Sequence, residues 1–205
     1  MHLEQKHITA LDKAEKLIFH CDFCPYLELK ALFPDATTHG RARFRSLFTK
    51  YYGLNLGGLT DVFKRRFFEI LFTENVVVND QPEFQKILNE LRLIPRKQGD
   101  FAMPFSFVSK LVTTHCETSP IYDRHVLSFF SQKPPAAATT CPNDRIDWYV
   151  GFLNQVATDY AAWAQDERVT PILNRLRARD QQLGQCEVIR LMDFLVWKVG
   201  NQKLL

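Results

Sequence analysis

The sequence contains no apolar stretch approaching the roughly 18 residues that a bilayer-spanning helix needs. Its first residues include His2, Glu4 and Lys6, where a signal peptide would need an apolar run. The five cysteines are an odd number, which argues against a disulfide framework and favours reduced thiols. We therefore expect a soluble, cytoplasmic protein with no membrane partner.

The motifs of common cofactor sites are also missing. There is no phosphate-binding loop, no nucleotide-binding glycine fingerprint, no Gly-x-Ser-x-Gly elbow and no His-Glu-x-x-His pair. Cys21 and Cys24 form a Cys-x-x-Cys, but the remaining cysteines lack the paired spacing that would complete a zinc site. The sequence therefore predicts neither a metal nor a cofactor, and it leaves the oligomeric state open.

What the chain does contain is a helical pattern. Apolar residues recur at i, i+3, i+4 and i+7 through Leu59, Val62, Phe63, Phe67, Ile70 and Leu71, with Thr60 or Asp61 as a cap. Val76 to Val78 is the best strand candidate, but we interpret it as an extended connector. The sequence predicts an all-α, multi-helix globular bundle. Further helices are expected at 8–19, 41–52, 82–93, 143–164, 171–179 and 186–199, and between Phe105 and the break at Pro120.

The organisation of the chain is expected to be a single all-α domain over residues 1–205, or two lobes with a proline-rich connection at 132–142. The paired prolines Pro134 and Pro135 favour extended backbone and cannot continue a helix. The helices after this connection would be marginal alone, so we expect them to pack back on the earlier part of the chain.

Positive charge is concentrated in one region, although the formal charge of +3 is too small to identify a nucleic-acid-binding protein. The segment from Arg41 to Arg66 contains seven basic residues and one acidic residue, Asp61. They could form a phosphate-binding patch with Tyr51 and Tyr52 as stacking groups, or simply a solvated helix face. The basic residues are Arg41, Arg43, Arg45, Lys50, Lys64, Arg65 and Arg66, and the loop at 95–104 adds Arg96 and Lys97.

The segment from Phe105 to Leu127 carries the most specific pattern. It reads as an apolar helix, a break at Pro120, and an acidic residue, Asp123, that begins a second helix. An aspartate in this position is typical of a helix cap. Tyr122 could stack on a base or pack as a hydrophobic staple, and His125 could contact phosphate or lie half-exposed at the surface.

The sequence Asp123-Arg124-His125-Val126, with the apolar helix before it, resembles the helix-to-aspartate segment of the helix-hairpin-helix DNA glycosylases. The resemblance covers about residues 95–130 and is consistent with an all-α chain. It implies a two-lobed fold that binds DNA and flips a base. It also implies hydrolysis of an N-glycosidic bond, in which Asp123 stabilises the sugar cation and Tyr122, Arg124 and His125 surround the nucleotide.

The family's lysine is replaced here by Phe105, and Lys110, later on the same helix, is the fallback nucleophile. With Phe105, Val108 and Leu111 facing inward, we expect Lys110 to point nearly the opposite way. The loop at 95–104 has one glycine, Gly99, where the family has a glycine-rich hairpin. These differences favour a second hypothesis, a non-catalytic helical binding or scaffold protein.

Overall fold

Helices account for all the regular secondary structure in the part of the chain that the computed structural model describes, which comprises residues 2–56, 58–73, 81–137 and 139–205. No strand occurs in those ranges, so the predicted all-α class is confirmed. The helices of the described residues are α1 Gln5–Leu17, α2 His20–Leu32, α3 Thr38–Tyr51, α4 Asp61–Thr73, α5 Gln81–Leu91, α6 Phe105–His115, α7 Arg124–Phe129, α8 Pro142–Trp163, α9 Thr170–Arg177, α10 Gln181–Gly184 and α11 Val188–Gln202.

The chain divides into two compact units. The first unit contains Met1–Phe23 and Glu117–Leu205, and the second contains Cys24–Cys116. The predicted proline-rich connection at 132–142 lies inside the first unit. The single-domain organisation stays a prediction. The possible strand at Val76–Val78 lies outside the described residues.

The first unit is built around α11. This helix packs against α1, α7, α8 and α9, and residues 189–196 are buried without interruption. Because a helix surrounded by neighbours has no solvent face, its polar residues must find partners inside the unit. Arg190, Asp193 and Lys198 are all buried, and each is paired with an opposite charge.

The second unit has a core of phenylalanine rings. Phe44 and Phe48 lie one turn apart on α3. Phe48 meets Phe67 and Phe68 of α4 at centroid distances of 5.5 and 5.8 Å, and Phe44 meets Phe72 of α4 at 5.4 Å. Aromatic side chains bury a large area each, and tilted or edge-on pairs add about 0.5–1.5 kcal/mol per contact. α5 completes this unit by packing against α4 and α6.

The helical periodicity located α4 almost correctly. Phe63, Phe67, Ile70 and Leu71 are buried, and the Thr60 hydroxyl accepts a hydrogen bond from the backbone of Phe63 at 3.2 Å, which confirms Thr60 as the cap. The prediction for Val62 is wrong, because that side chain is 53% exposed in the first turn.

α2 was not predicted. It contains Pro25 in its interior and begins at the Cys-x-x-Cys, two features that favour an interruption rather than a helix.

Among the described residues, no helix combines the length and the apolar character required to cross a bilayer.

Candidate functional site

Asp123 is the N-cap of α7. Its backbone is extended, with φ −148° and ψ 156°, and its Oδ1 accepts a hydrogen bond from the backbone of His125 at 2.9 Å. The cap satisfies one of the helix's unpaired N–H groups and places a negative charge at the positive end of the helix. The predicted capping role is therefore confirmed, and the side chain is half-buried.

Tyr122 is buried immediately before this cap. Its hydroxyl donates to the Tyr149 hydroxyl at 2.9 Å, and the two rings meet edge to face at 4.4 Å. Burial raises the pKa of the Tyr122 phenol well above its usual value. This placement agrees with the packing interpretation of Tyr122, since its ring and its hydroxyl are both engaged inside the first unit.

His125 and Arg124 occupy the first turn of α7. Arg124 is exposed and donates to His125 Nε2 at 3.3 Å, while the half-buried His125 ring meets Trp197 at 5.8 Å. The backbone of His125 also touches α11 at Gly200. A Cβ on Gly200 would lie 2.6 Å from the His125 carbonyl oxygen, so the two helices cross at a distance that only glycine permits.

The irregular segment before Asp123 is held by a buried ion pair on α11. Arg190 donates to Asp193 at 2.6 Å and to the Ser119 carbonyl at 3.1 Å, and Asp193 accepts from the backbone of Ile121 at 3.1 Å. Burial raises the pKa of Asp193 to about 7, although the Arg190 charge opposes the shift. α11 thus positions the start of α7 through two side chains.

Lys110, the fallback nucleophile, belongs to the second unit, whereas Asp123 belongs to the first. Its Nζ donates to the Ser106 hydroxyl at 2.9 Å and lies 5.5 Å from the Tyr52 ring centroid. The prediction that Lys110 points outward is wrong, because it is only 7% exposed. α6 is buried on every side from Val108 to Thr113, so this helix has no solvent face to which a charged residue could be assigned.

Tyr51 and Tyr52 end α3 as a pair of half-exposed rings with centroids 4.7 Å apart. Tyr52 also packs on Phe48 at 4.6 Å. The tyrosines therefore continue the aromatic core of the second unit towards its surface, with Lys110 beside them.

Ion pairs neutralise only part of the predicted basic region. Arg43 pairs with Glu28 at 2.6 Å, Arg66 pairs with Glu90, and Arg96 in the loop pairs with Asp100. Lys97 is exposed, and Lys64 lies 3.7 Å from Asp61. Within the described ranges, four of the seven basic residues make no ion pair: Arg41, Arg45, Lys50 and Arg65.

Arg41 and Arg45 lie one turn apart on α3 and share an aromatic ring. Their guanidinium carbons lie 5.2 and 5.6 Å from the Phe72 ring centroid. A cation over a ring face gains about 0.5–1 kcal/mol at an exposed site. The contact orders both side chains without cancelling their charge, which keeps them available for an anion.

Arg41 also lines a cavity of about 300 Å³ in the second unit, which we name the Arg41 pocket. Its walls include the rings of Phe33, Phe72 and His115, and Phe33 meets His115 edge to face at 5.1 Å. Ala36 is exposed at its edge. The pocket thus combines a cation, flat apolar walls and an imidazole.

His115 gives the Arg41 pocket a hydrogen-bond acceptor. Burial lowers the pKa of His115, so the ring is neutral at pH 7, and it hydrogen-bonds the backbone of Leu71. Its Nε2 is buried and has no hydrogen-bond partner within the described residues, and neither has Nε of Arg41. Buried polar atoms are normally satisfied, and both residues line the pocket, so the two nitrogens are candidate contacts for a ligand that enters it.

Sequence reasoning selected Arg41 for its charge but did not find His115, Phe33 or Phe72 as site residues. Phe33 follows α2, Phe72 lies on α4 and His115 ends α6, so no local spacing connects them. Only the packing of three helices brings them together.

The described residues contain no group of three or more histidine, cysteine or acidic side chains able to hold a metal ion. Comparisons with protein-family models, with curated proteins and with solved structures find no match to this chain.

Proposed function

We propose that this chain is a non-catalytic, single-stranded-nucleic-acid-binding protein whose second unit holds the strand. The observation that carries the proposal is the Arg41 pocket, where an arginine and a neutral histidine, both with unsatisfied nitrogens, line an aromatic-walled cavity. DNA is the first nucleic acid to test, since the resemblance in the sequence is to DNA-binding enzymes.

The pocket matches the chemistry of one unstacked base. The Phe33 ring offers a surface on which a base can stack, which is worth about 1–3 kcal/mol per base in single-strand binding proteins, and Phe72 holds Arg41 and Arg45 beside it. His115 Nε2 can accept from a ring N–H or an amino group, and Arg41 can donate to a carbonyl or a phosphate oxygen.

Basic residues of α3 supply the phosphate contacts. Arg45 and Lys50 are exposed, and with Arg41 they carry three positive charges along one helix. Each phosphate contact that a cation makes with a single strand contributes about −0.7 to the slope of log K against log salt. Binding should therefore weaken steeply with ionic strength.

The test is a titration of a fluorescent single-stranded DNA at about 50 and 200 mM salt. Replacing Arg41 and Arg45 together by glutamine should weaken binding at low salt and reduce the salt slope by about 1.4. The matched control is the Lys13→Gln/Lys203→Gln double variant, which removes the same charge from exposed positions of the first unit. Flat binding curves at low salt, or equal losses in both double variants, would refute the proposal.

A second variant separates insertion of a base into the Arg41 pocket from electrostatic attraction of the strand. Ala36→Phe should narrow the Arg41 pocket while leaving every basic residue in place. With 2-aminopurine in the strand, wild type should change the fluorescence of the base as it leaves the stack. The variant should keep salt-dependent binding and lose that change. An unchanged fluorescence response in Ala36→Phe would remove the pocket from the proposal.

Hydrolysis of an N-glycosidic bond at Asp123 stays a separate prediction, with its own test. Asp123→Asn keeps an oxygen that can cap α7 but removes the carboxylate charge that would stabilise a sugar cation. Wild type that cleaves a damaged-base duplex, with loss of cleavage in Asp123→Asn, would restore the enzyme hypothesis. Equal inactivity towards a broad lesion panel would support the non-catalytic protein proposed here.

A further inference from the structure

Two loops of the second unit are joined by hydrogen bonds, and we name them together the loop pair. One loop connects α3 to α4, and the other connects α5 to α6. The backbone N–H of Lys97 donates to the Gly58 carbonyl at 2.8 Å, and the Thr60 hydroxyl donates to the Pro95 carbonyl at 3.4 Å. The two loops comprise residues 52–60 and 92–104.

Large apolar side chains of the loop pair are exposed to solvent. Leu56 is 89% exposed, Leu93 is 65% exposed and Phe101 is 64% exposed, and the exposed Val62 lies directly after the first loop. These are four of the seven large apolar side chains that are exposed among the described residues. Single exposed apolar residues are common on protein surfaces, whereas a concentration of them marks an interaction surface.

Positive charge accompanies these side chains. The segments 52–66 and 92–101 contain six basic residues and two acidic ones, which gives them a formal charge of +4. Lys97 and Arg65 are both exposed, and neither makes an ion pair within the described ranges. The six basic residues are Lys64, Arg65, Arg66, Arg92, Arg96 and Lys97.

This combination of aliphatic side chains and cations restricts the partner. A second copy of the chain would place the same positive charge against this surface, and the two copies would repel each other. A nucleic acid would use the cations, but Leu56, Val62 and Leu93 have no ring on which a base could stack. An anionic bilayer offers phosphate groups at its surface and acyl chains directly beneath them, so it complements both kinds of side chain.

We propose that the loop pair binds the surface of an anionic membrane. Leu56, Leu93 and Phe101 insert below the headgroups, and Lys97 and Arg65 remain at the level of the phosphates. A fluid bilayer suits side chains that stand out separately, because acyl chains close around each of them. Binding of this kind needs no helix that crosses the bilayer, and it uses none of the residues that line the Arg41 pocket.

The test is sedimentation of the full chain with vesicles of two compositions, phosphatidylcholine alone and an equimolar mixture of phosphatidylcholine and phosphatidylserine. Wild type should bind the mixed vesicles at least about tenfold more tightly than the neutral ones. The Leu56→Ser/Leu93→Ser double variant should bind the mixed vesicles at least about tenfold more weakly than wild type, since burial of two apolar side chains is lost. Both leucines are exposed, so the circular dichroism spectrum should not change.

The matched control is the Leu17→Ser/Leu205→Ser double variant, which removes two exposed leucines from the first unit and should bind the mixed vesicles as wild type does. Lys97→Gln together with Arg65→Gln should weaken binding to the mixed vesicles by more than tenfold, at about fivefold per charge.

Insertion of the loop pair can be measured separately from binding. The three tryptophans of wild type all belong to the first unit, so Phe101→Trp adds a fluorophore to the second. Lipids brominated on their acyl chains should quench this added emission and shift it to shorter wavelength.

Four outcomes would overturn the proposal. They are no sedimentation of wild type with the mixed vesicles, equal affinities in the two leucine double variants, no quenching of the added tryptophan, and cation-dependent binding that the leucine substitutions leave intact. Self-association in analytical ultracentrifugation that Leu56→Ser/Leu93→Ser abolishes, without vesicle binding by wild type, would instead assign the loop pair to a second copy of the chain.

Discussion

Two glycines in the first unit should respond in opposite directions to the same substitution. Alanine is preferred to glycine in a helix interior by about 0.5–1 kcal/mol, since glycine loses more backbone entropy on folding. Gly151 and Gly200 lie on α8 and α11, so both positions gain from this effect. What differs is the space that the new methyl group would occupy.

At Gly151 the methyl group finds open space, with no atom within 4 Å. At Gly200 it would lie 2.6 Å from the carbonyl oxygen, 2.7 Å from Cβ and 2.9 Å from Cα of His125. A normal contact is longer than these distances by most of an ångström. Two of the three atoms are backbone, so no side-chain rotation relieves the clash, and α7 must move away from α11.

Overpacking of this kind costs typically about 1–3 kcal/mol, and a backbone obstacle places Gly200→Ala at the upper end. After subtraction of the propensity gain, we expect a loss of roughly 2 kcal/mol in the free energy of unfolding. For a chain of this size that corresponds to a fall in Tm of about 4–8 °C. Gly151→Ala should instead raise Tm by roughly 2 °C.

The assay is urea unfolding followed by far-ultraviolet circular dichroism and by tryptophan fluorescence. Both glycines belong to the first unit, so both shifts should appear in the same transition. Trp197 contacts His125 and should sense the displacement of α7 directly in the Gly200 variant. A Gly200→Ala protein as stable as wild type, with unchanged Trp197 emission, would refute the close crossing of α7 and α11.

Three further predictions test the polar contacts of the first unit. Asp193 has a pKa raised from 3.8 to about 7, so its protonated form stabilises the fold below 3.8 and that stability is lost as pH rises towards 7. Relative to Asp193→Asn, wild type should lose up to about 1.4 kcal/mol of unfolding free energy per pH unit in this window, as measured by denaturant titration. A stability difference between the two proteins that does not change with pH would contradict the raised pKa. Glu15→Ala should lower the free energy of unfolding by about 2 kcal/mol, since it leaves Arg175 and Arg179 without a buried partner. Asp12→Ala, at the exposed end of the same network, should lower it by less than about 1 kcal/mol. Equal losses in the two variants would be inconsistent with the burial of Glu15. Asp123→Ala should lower the free energy of unfolding by about 1 kcal/mol and Asp123→Asn by less, because asparagine caps helices nearly as well as aspartate; no loss in the alanine variant would argue against the cap.

The sequence was informative about the positions of helices and of their caps. The apolar patterns that end at Leu71 and at Val199 correspond to α4 and α11. Thr60 and Asp123 cap their helices, as their positions in the sequence indicated. Apolar spacing and caps are local properties, so they can be read from a short window of residues.

Apolar spacing cannot place an individual side chain on a helix that is buried on every side. Lys110 was assigned to an outer face because spacing alone implies that one exists, yet α6 is enclosed by the packing of the second unit. Pro25 lies inside α2 although it has no backbone N–H to donate to the helix.

The candidate sites depend on distant contacts for a similar reason. Arg41, Phe72 and His115 meet across three helices, and no pattern within one helix encodes their proximity. The cavity along α8 is different, since Trp148, Phe152 and Asp159 line it from a single helix. Helical spacing within α8 connects these three residues, but the more apolar pattern through Ile146 and Tyr160 dominates the sequence there.

The first unit is discontinuous along the chain, and this has a consequence for synthesis. α1 packs against α11, so its apolar face meets this partner only after all the residues between the two helices have been made. The second unit, an uninterrupted segment, has all its own residues present much earlier. Growing chains fold by completed units, and long-range pairing is slow. Until then, Leu11 and Ala14 of nascent α1 lack the cover that they have in the folded unit.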